Sequence, residues 1–244
     1  MTYLLTAGCS WTDDNFKSYV YPDYDTTFDK WPVHLSKKLN LECVNIGKSG
    51  TSNEYAFNAI VNKVLLESPK KIVWQLTDWT RFTFINSNLR KHNIRPLNNI
   101  FHIGGIEDRF NIIVGLLNFL ENDPKFVYEQ TTSKINILKT LCEQKNIDLH
   151  ICQAWFGPVP LYLVDRLQDD IEILLKHKHK DIYKIINNLC NLDLTRWNIN
   201  YDSWLKENNI IKLPKETHVI GEHDYHPNAL GHKDIADFLY TYIG

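Results

Sequence analysis

The chain has little that would mark it for a membrane, a nucleic acid or a disulfide scaffold. No window approaches the roughly 18 uninterrupted apolar residues of a membrane-spanning helix, and the greasiest stretch, Ile112 to Leu120, is broken by Gly115 and Asn118. An excess of one charge is missing too. Against 27 Lys and Arg stand 29 Asp and Glu, a net charge of -2, so no long-range field would hold the chain on DNA, RNA or an anionic lipid surface. Glycine and proline are sparse, 10 and 9 in 244 residues. With 43% hydrophobic and 23% charged residues, this excludes collagen-like, low-complexity and disordered architectures. The cysteines, Cys9, Cys43, Cys142, Cys152 and Cys190, are odd in number and scattered, which indicates neither a disulfide framework nor a CxxC metal site. No basic segment precedes the first apolar run, which argues against a signal peptide. The expectation is a cytoplasmic protein with no nucleic-acid or membrane partner; its oligomeric state is left open.

What is present is an alternation of short β-rich runs with helical periodicity. Strands are predicted at Tyr3 to Gly8, Glu42 to Gly47, Lys71 to Thr77, Asp148 to Trp155 and Thr217 to Gly221. Helical stripes recur through Phe57, Ile60, Val61 and Val64, through Phe110 to Leu120, through Ile135, Leu138 and Cys142, through Leu161 to Leu174, through Ile182 to Leu189, and through Ile235 to Leu239. This alternation predicts βαβ units and an α/β fold with a mainly parallel sheet. The stretches at about 82–124 and 158–214 are longer than simple crossovers need and read as helical insertions in one domain spanning residues 1–244. In an open parallel sheet, ligands bind at the carboxyl ends of the strands. The residues after each strand are therefore the ones to weigh.

Those residues are Gly8-Cys9-Ser10-Trp11-Thr12, Gly47-Lys48-Ser49-Gly50-Thr51-Ser52-Asn53 and Asp78-Trp79-Thr80-Arg81, with His223-Asp224-Tyr225-His226-Pro227-Asn228 near the end of the chain. Taken singly, each has a bland explanation: Ser10 and Asn53 as helix caps, Gly50 as a loop glycine, His226 as a turn residue. Together they form the inventory for acyl transfer to a serine hydroxyl. The hydroxyl needs a base, and imidazole is the side chain best matched to that task near neutrality. The oxyanion needs donors fixed in advance, which a turn at a helix N-terminus would supply.

These residues resemble the SGNH or GDSL-type serine esterases and acyltransferases at both ends of the chain. Gly8-Cys9-Ser10 resembles the first block of the family, with Cys in place of the usual Asp, and Asn45-Ile46-Gly47-Lys48-Ser49-Gly50 the second. Trp31-Pro32, before a helix ending near Leu39, is a common companion of the first block. Asp224 through His232 is similar to the fifth. The resemblance implies a three-layer α/β/α sandwich, flavodoxin-like, with about five strands and no cofactor. It also implies Ser10 as nucleophile, His226 as base, Asp224 as its orienting acid, and the Ser10 and Gly50 amides as oxyanion donors. Two departures stand out. The third-block asparagine is replaced by Leu76-Thr77-Asp78-Trp79-Thr80-Arg81, leaving Asn53, Thr77 or Thr80 as candidates for the third donor. The acid lies two residues before the histidine rather than three, which leaves Glu222 or a bare Ser10-His226 dyad as alternatives to Asp224.

Other readings compete. Cys9 could be the nucleophile if a helix N-terminus lowered its pKa, and His218, His223, His226 and His232 invite a zinc site without its usual HExxH pattern. Trp11 and Trp79 at strand ends could line a substrate pocket, and Arg81 could meet a substrate anion or pair with Asp78. The functional expectation is a hydrolase or acyltransferase acting on a small-molecule or glycan ester, such as an O-acetyl group. The alternative is a catalytically weak fold of the same type that binds a glycan or a protein.

Overall fold

The computed structural model describes residues 2–77, 82–86, 89–94, 124–153, 200–214, 217–222 and 224–244. In chain order its elements are β1 (Tyr3–Ala7), α1 (Trp31–Leu39), β2 (Glu42–Asn45), α2 (Asn53–Leu66), β3 (Lys71–Leu76), β4 (Phe82–Asn86), β5 (Leu89–Ile94), α3 (Pro124–Gln144), β6 (Asp148–Gln153), α4 (Tyr201–Glu207), β7 (Ile210–Lys212), β8 (Val219–Gly221), β9 (Asp224–Pro227) and α5 (Ala229–Ile243).

Five strands form one sheet in the order β2-β1-β3-β6-β7, and every pairing in it is parallel. Parallel strands are covered on both faces and so read as nearly continuous apolar runs; β1 and all but the first residue of β3 are buried along their length. Side chains alternate between the two faces. Leu5, Ala7, Ile72, Trp74 and Leu76 pack with Ala56, Ile60 and Val64 of α2, Ile135, Leu138 and Cys142 of α3 and Leu205 of α4. Leu4, Val73 and Cys152 face the other way, onto Trp31 and Leu35 of α1 and Ile235, Ala236 and Leu239 of α5. The result is a three-layer α/β/α sandwich. The sheet grows outward on either side of β1, so the crevice between the carboxyl ends of β1 and β3 is the topological switch point.

Four of the five predicted strands occupy the sheet, each ending within two residues of its expected end. The fifth does not: Val219–Gly221 pairs antiparallel with β9 in a separate hairpin, and the outer position is taken by Ile210–Lys212 on β6. The start of the first expected helical insertion is instead an antiparallel hairpin, β4 with β5. The helical stripes at 110–120, 161–174 and 182–189 lie outside the described residues. Cys9, Cys43, Cys142 and Cys152 are not joined in disulfides, and burial pushes Cys43 and Cys142 up to about 11.

Helix α1 begins unusually. Its N-cap, Lys30, contributes no side-chain cap. The first helical amide, Trp31 N–H, donates instead to Nδ1 of His232 on α5, at 3.2 Å. An imidazole from one helix thus satisfies a terminal donor of another.

Candidate active site

After β1 the chain makes a single turn in which the amides of Thr12 and Asp13 both donate to Cys9 O, at 2.9 and 3.0 Å. No helix continues from it; the next begins at Trp31. The expected helix N-terminus and its dipole are therefore not features of the Ser10 turn, and Ser10 is not a helix cap. Ser10 itself is buried, at 4% exposure.

The turn is tied to the loop after β2 by two side chains. Asn45 accepts from Thr6 Oγ1 and Gly47 N–H through its Oδ1, at 3.0 and 2.9 Å, and donates through Nδ2 to Thr12 O and Asp14 Oδ1, at 2.6 and 2.9 Å. Asp13 Oδ2 accepts from Ser49 N–H at 2.7 Å. Around Ser49 the chain reverses over Lys48 to Thr51, closed by Thr51 N–H on Lys48 O at 3.3 Å. Gly50 holds the third position of this turn at φ 80°, a type II geometry that L side chains resist. The amides on either side of Gly50 are both occupied, one by Asp13 and one by Lys48 O.

Ser52, not Asn53, caps α2, accepting from Tyr55 N–H at 3.2 Å. Asn53 clamps the backbone at the end of β3: its Oδ1 accepts from Thr77 N–H at 2.8 Å and its Nδ2 donates to Thr77 O at 3.2 Å. The Thr77 hydroxyl is buried and has no partner among the described residues.

The histidine arrives on β9. Nε2 of His226 lies 2.8 Å from Ser10 Oγ, joining residues 216 positions apart. Its Nδ1 lies 2.5 Å from Asp224 Oδ1, which also accepts the His226 backbone N–H at 3.1 Å. The carboxylate is 3% exposed and the imidazole 30%. Burial pushes the Asp224 carboxyl up, but hydrogen bonds and charge from His226, with a hydrogen bond from Ser18, outweigh it and hold the group below the ordinary carboxylate range. Asn228 anchors the hairpin to α5 by accepting from Gly231 N–H and donating to Val219 O, both at 3.0 Å.

The other histidines are engaged elsewhere: His218 with Asp234 at 2.8 Å and His232 with the Trp31 amide. His223 lies outside the described residues. Trp11 does not line a pocket rim; it is 2% exposed and packs with Trp31 and Leu35 in the core. Cys9 is likewise 2% exposed. Trp79, Thr80 and Arg81 lie outside the described residues.

No protein-family model matches the sequence, and no curated protein matches it. Solved structures do. One, assigned to the G-D-S-L lipolytic family and from Desulfitobacterium hafniense, is 14% identical over 99% of both chains with a TM-score of 0.44. An acetyl xylan esterase from Geobacillus stearothermophilus is 12% identical over 100% of this chain and 94% of its own, with a TM-score of 0.45. An alpha/beta hydrolase enzyme from the metagenome of Lake Arreo is 13% identical over 98% and 94%, with a TM-score of 0.46. Among the described residues no helix is long and apolar enough to cross a membrane.

Sequence reasoning missed Phe16, Ser18 and Asp13. Phe16 stacks on His226 with ring centroids 4.1 Å apart and planes 25° from parallel, and Ser18 hydrogen-bonds Asp224 Oδ2. These residues belong to a loop with no periodic pattern, so no sequence signal marked them.

Proposed function

We propose that the chain is a serine esterase that cleaves a small-molecule or glycan ester, such as an O-acetyl group, through an acyl-enzyme on Ser10. The observation that carries this reading is the hydrogen-bonded sequence Ser10 Oγ, His226 Nε2, His226 Nδ1, Asp224 Oδ1. Asp224 accepts from Nδ1–H and so leaves Nε2 as the acceptor facing the serine hydroxyl. Ser10 Oγ attacks the ester carbonyl while its proton passes to Nε2. The tetrahedral intermediate collapses as the imidazolium protonates the leaving alkoxide, and water activated by the same nitrogen then releases the acid. Asp224 stays ionised throughout and stabilises the imidazolium.

The oxyanion is received by the Ser10 and Gly50 amides, with Asn53 as third donor in place of the missing third-block asparagine. One Nδ2 hydrogen of Asn53 is used on Thr77 O, and that clamp fixes the direction of the other. Transfer of the acyl group to an alcohol instead of water would use the same groups.

The test is turnover of p-nitrophenyl acetate by wild type, Ser10→Ala and His226→Ala, with intact-mass detection of acetylated protein and fluorophosphonate labelling. The expected result is turnover and labelling in wild type, and losses of about 10⁴-fold or more in kcat for both folded variants. Folded wild-type protein that neither turns over nor labels would overturn the reading in favour of a binding module.

A further inference from the structure

The catalytic reading uses one oxygen of Asp224; the other is held as firmly. Asp224 Oδ2 accepts a short hydrogen bond from the hydroxyl of Ser18, whose own oxygen accepts Tyr21 N–H at 2.9 Å. With its acceptor role taken by a backbone amide, the Ser18 hydroxyl has one hydrogen and one direction in which to give it. Ser18 is 5% exposed and Asp224 4%, so water does not stand ready to replace either partner.

We propose that Ser18 is a positioning residue that fixes the orientation of His226 through Asp224, extending the hydrogen-bonded chain to Tyr21 N–H, Ser18, Asp224, His226 and Ser10. The kinetic consequence rests on the esterase reading above; the geometric one does not. A buried carboxylate with one oxygen unpaired rotates or recruits whichever donor it can reach. Both responses turn Oδ1 out of line with His226 Nδ1, because the two oxygens belong to one rigid planar group and move together. Ser18 removes that freedom.

The neighbouring residues act in the same direction. Phe16 lies flat against the imidazole, so residues 16–18 touch the base on its face and, through the acid, at its edge. Three residues beyond Ser18, the Tyr21 ring lies so close to Gly221 of β8 that a Cβ on that glycine would come within 2.6 Å of it. The absence of a side chain there lets the strap of residues 16–21 lie directly on the hairpin that carries His226. This strap leaves the Ser10 turn itself, after Asp13. One short stretch of chain therefore sets the nucleophile's turn and holds the base in register with it.

The test compares Ser18→Ala, Ser18→Val and Ser18→Thr by steady-state kinetics on p-nitrophenyl acetate and by the low-field proton resonance of His226 Nδ1–H. Thr restores the hydroxyl that Val lacks at nearly the same shape, so packing effects are common to that pair and cancel. Expected for Ala and Val is a fall in kcat of about ten- to a hundredfold, the effect of one charge-assisted hydrogen bond, with KM nearly unchanged. The resonance is expected to shift in Ala and Val and to return toward its wild-type position in Thr. If Ser18→Ala does not fold, the Thr and Val pair decides. Wild-type kcat together with an unshifted resonance in Ser18→Ala or Ser18→Val would overturn the proposal. Should wild type itself fail to turn over or label, the esterase reading falls and the resonance alone decides the role of Ser18: a shift supports it and no shift overturns it.

Discussion

Lowering the pH should weaken the fold through one residue, His232, in a way that a single substitution isolates. The ring is 1% exposed, sits 5.6 Å from Phe28 and accepts the Trp31 amide hydrogen at Nδ1. A protonated ring loses that acceptor and places a positive charge at the donor-rich start of α1, where the helix dipole opposes it. Burial, with Lys30, His34 and His226 nearby, accordingly pushes its pKa down to about 3, against about 6.5 in the unfolded chain. The folded-state value is the depressed one, so the fold favours the neutral ring. That contribution is complete above about pH 6.5 and drains away as pH falls toward the folded value, at about 1.4 kcal/mol per unit. Between about pH 7 and about pH 4.5 the loss from this residue is about 3 kcal/mol, a large part of the stability of an ordinary domain. Urea unfolding at the two pH values, on wild type and His232→Asn, measures it. Asparagine keeps an acceptor for Trp31 N–H but cannot titrate. The variant should be less stable near neutrality, because it leaves a cavity, and should lose about 3 kcal/mol less on acidification. Carboxylates such as Asp224 contribute equally to both proteins and drop out of the difference. Parallel pH profiles for the two proteins would refute the reasoning.

Other outcomes follow from the same geometry. Asp224→Asn should lower kcat on p-nitrophenyl acetate by about 10³- to 10⁴-fold with the fold intact, because an amide can present the wrong partner to Nδ1; steady-state kinetics with circular dichroism checks this. Gly50→Ala should cost about 1 kcal/mol or more in urea unfolding, from the positive φ of its turn, and should lower kcat as the loop shifts. Asn45→Ala removes the donors and acceptors that tie the Ser10 turn to the second loop. It should cost about 2 to 3 kcal/mol by urea unfolding and slow fluorophosphonate labelling of Ser10.

The sheet was legible where strands are long and apolar, as at Tyr3–Ala7 and Lys71–Leu76. It was not legible at Ile210–Lys212, because three residues give no period to read and their place is fixed by pairing with Ile151, Cys152 and Gln153. The run ending at Gly221 carried a correct strand signal, but propensity does not name a partner, and its partner is β9. Ser10, His226 and Asp224 stood out because residue type and position after a strand coincide. Trp11 was misplaced by that same logic. A helical turn rotates successive side chains by about 100°, so while Ser10 meets His226, Trp11 enters the core. Ser18 and Phe16 had no pattern at all; their roles exist only once the last strand folds back onto the first loop.

That return of the chain has a consequence for how activity would appear in time. The contact between Ser10 and His226 spans 216 positions, and the sheet strands β1, β2, β3, β6 and β7 all precede the hairpin that completes it. Closing so long a loop is entropically modest in itself, since each doubling adds only about 0.6 kcal/mol, but non-local contacts of this kind are late events in folding. Refolding protein should recover helical and core signals before it recovers reactivity at Ser10. Labelling of that serine would then serve as a clock for the final docking step, silent in every partly folded species.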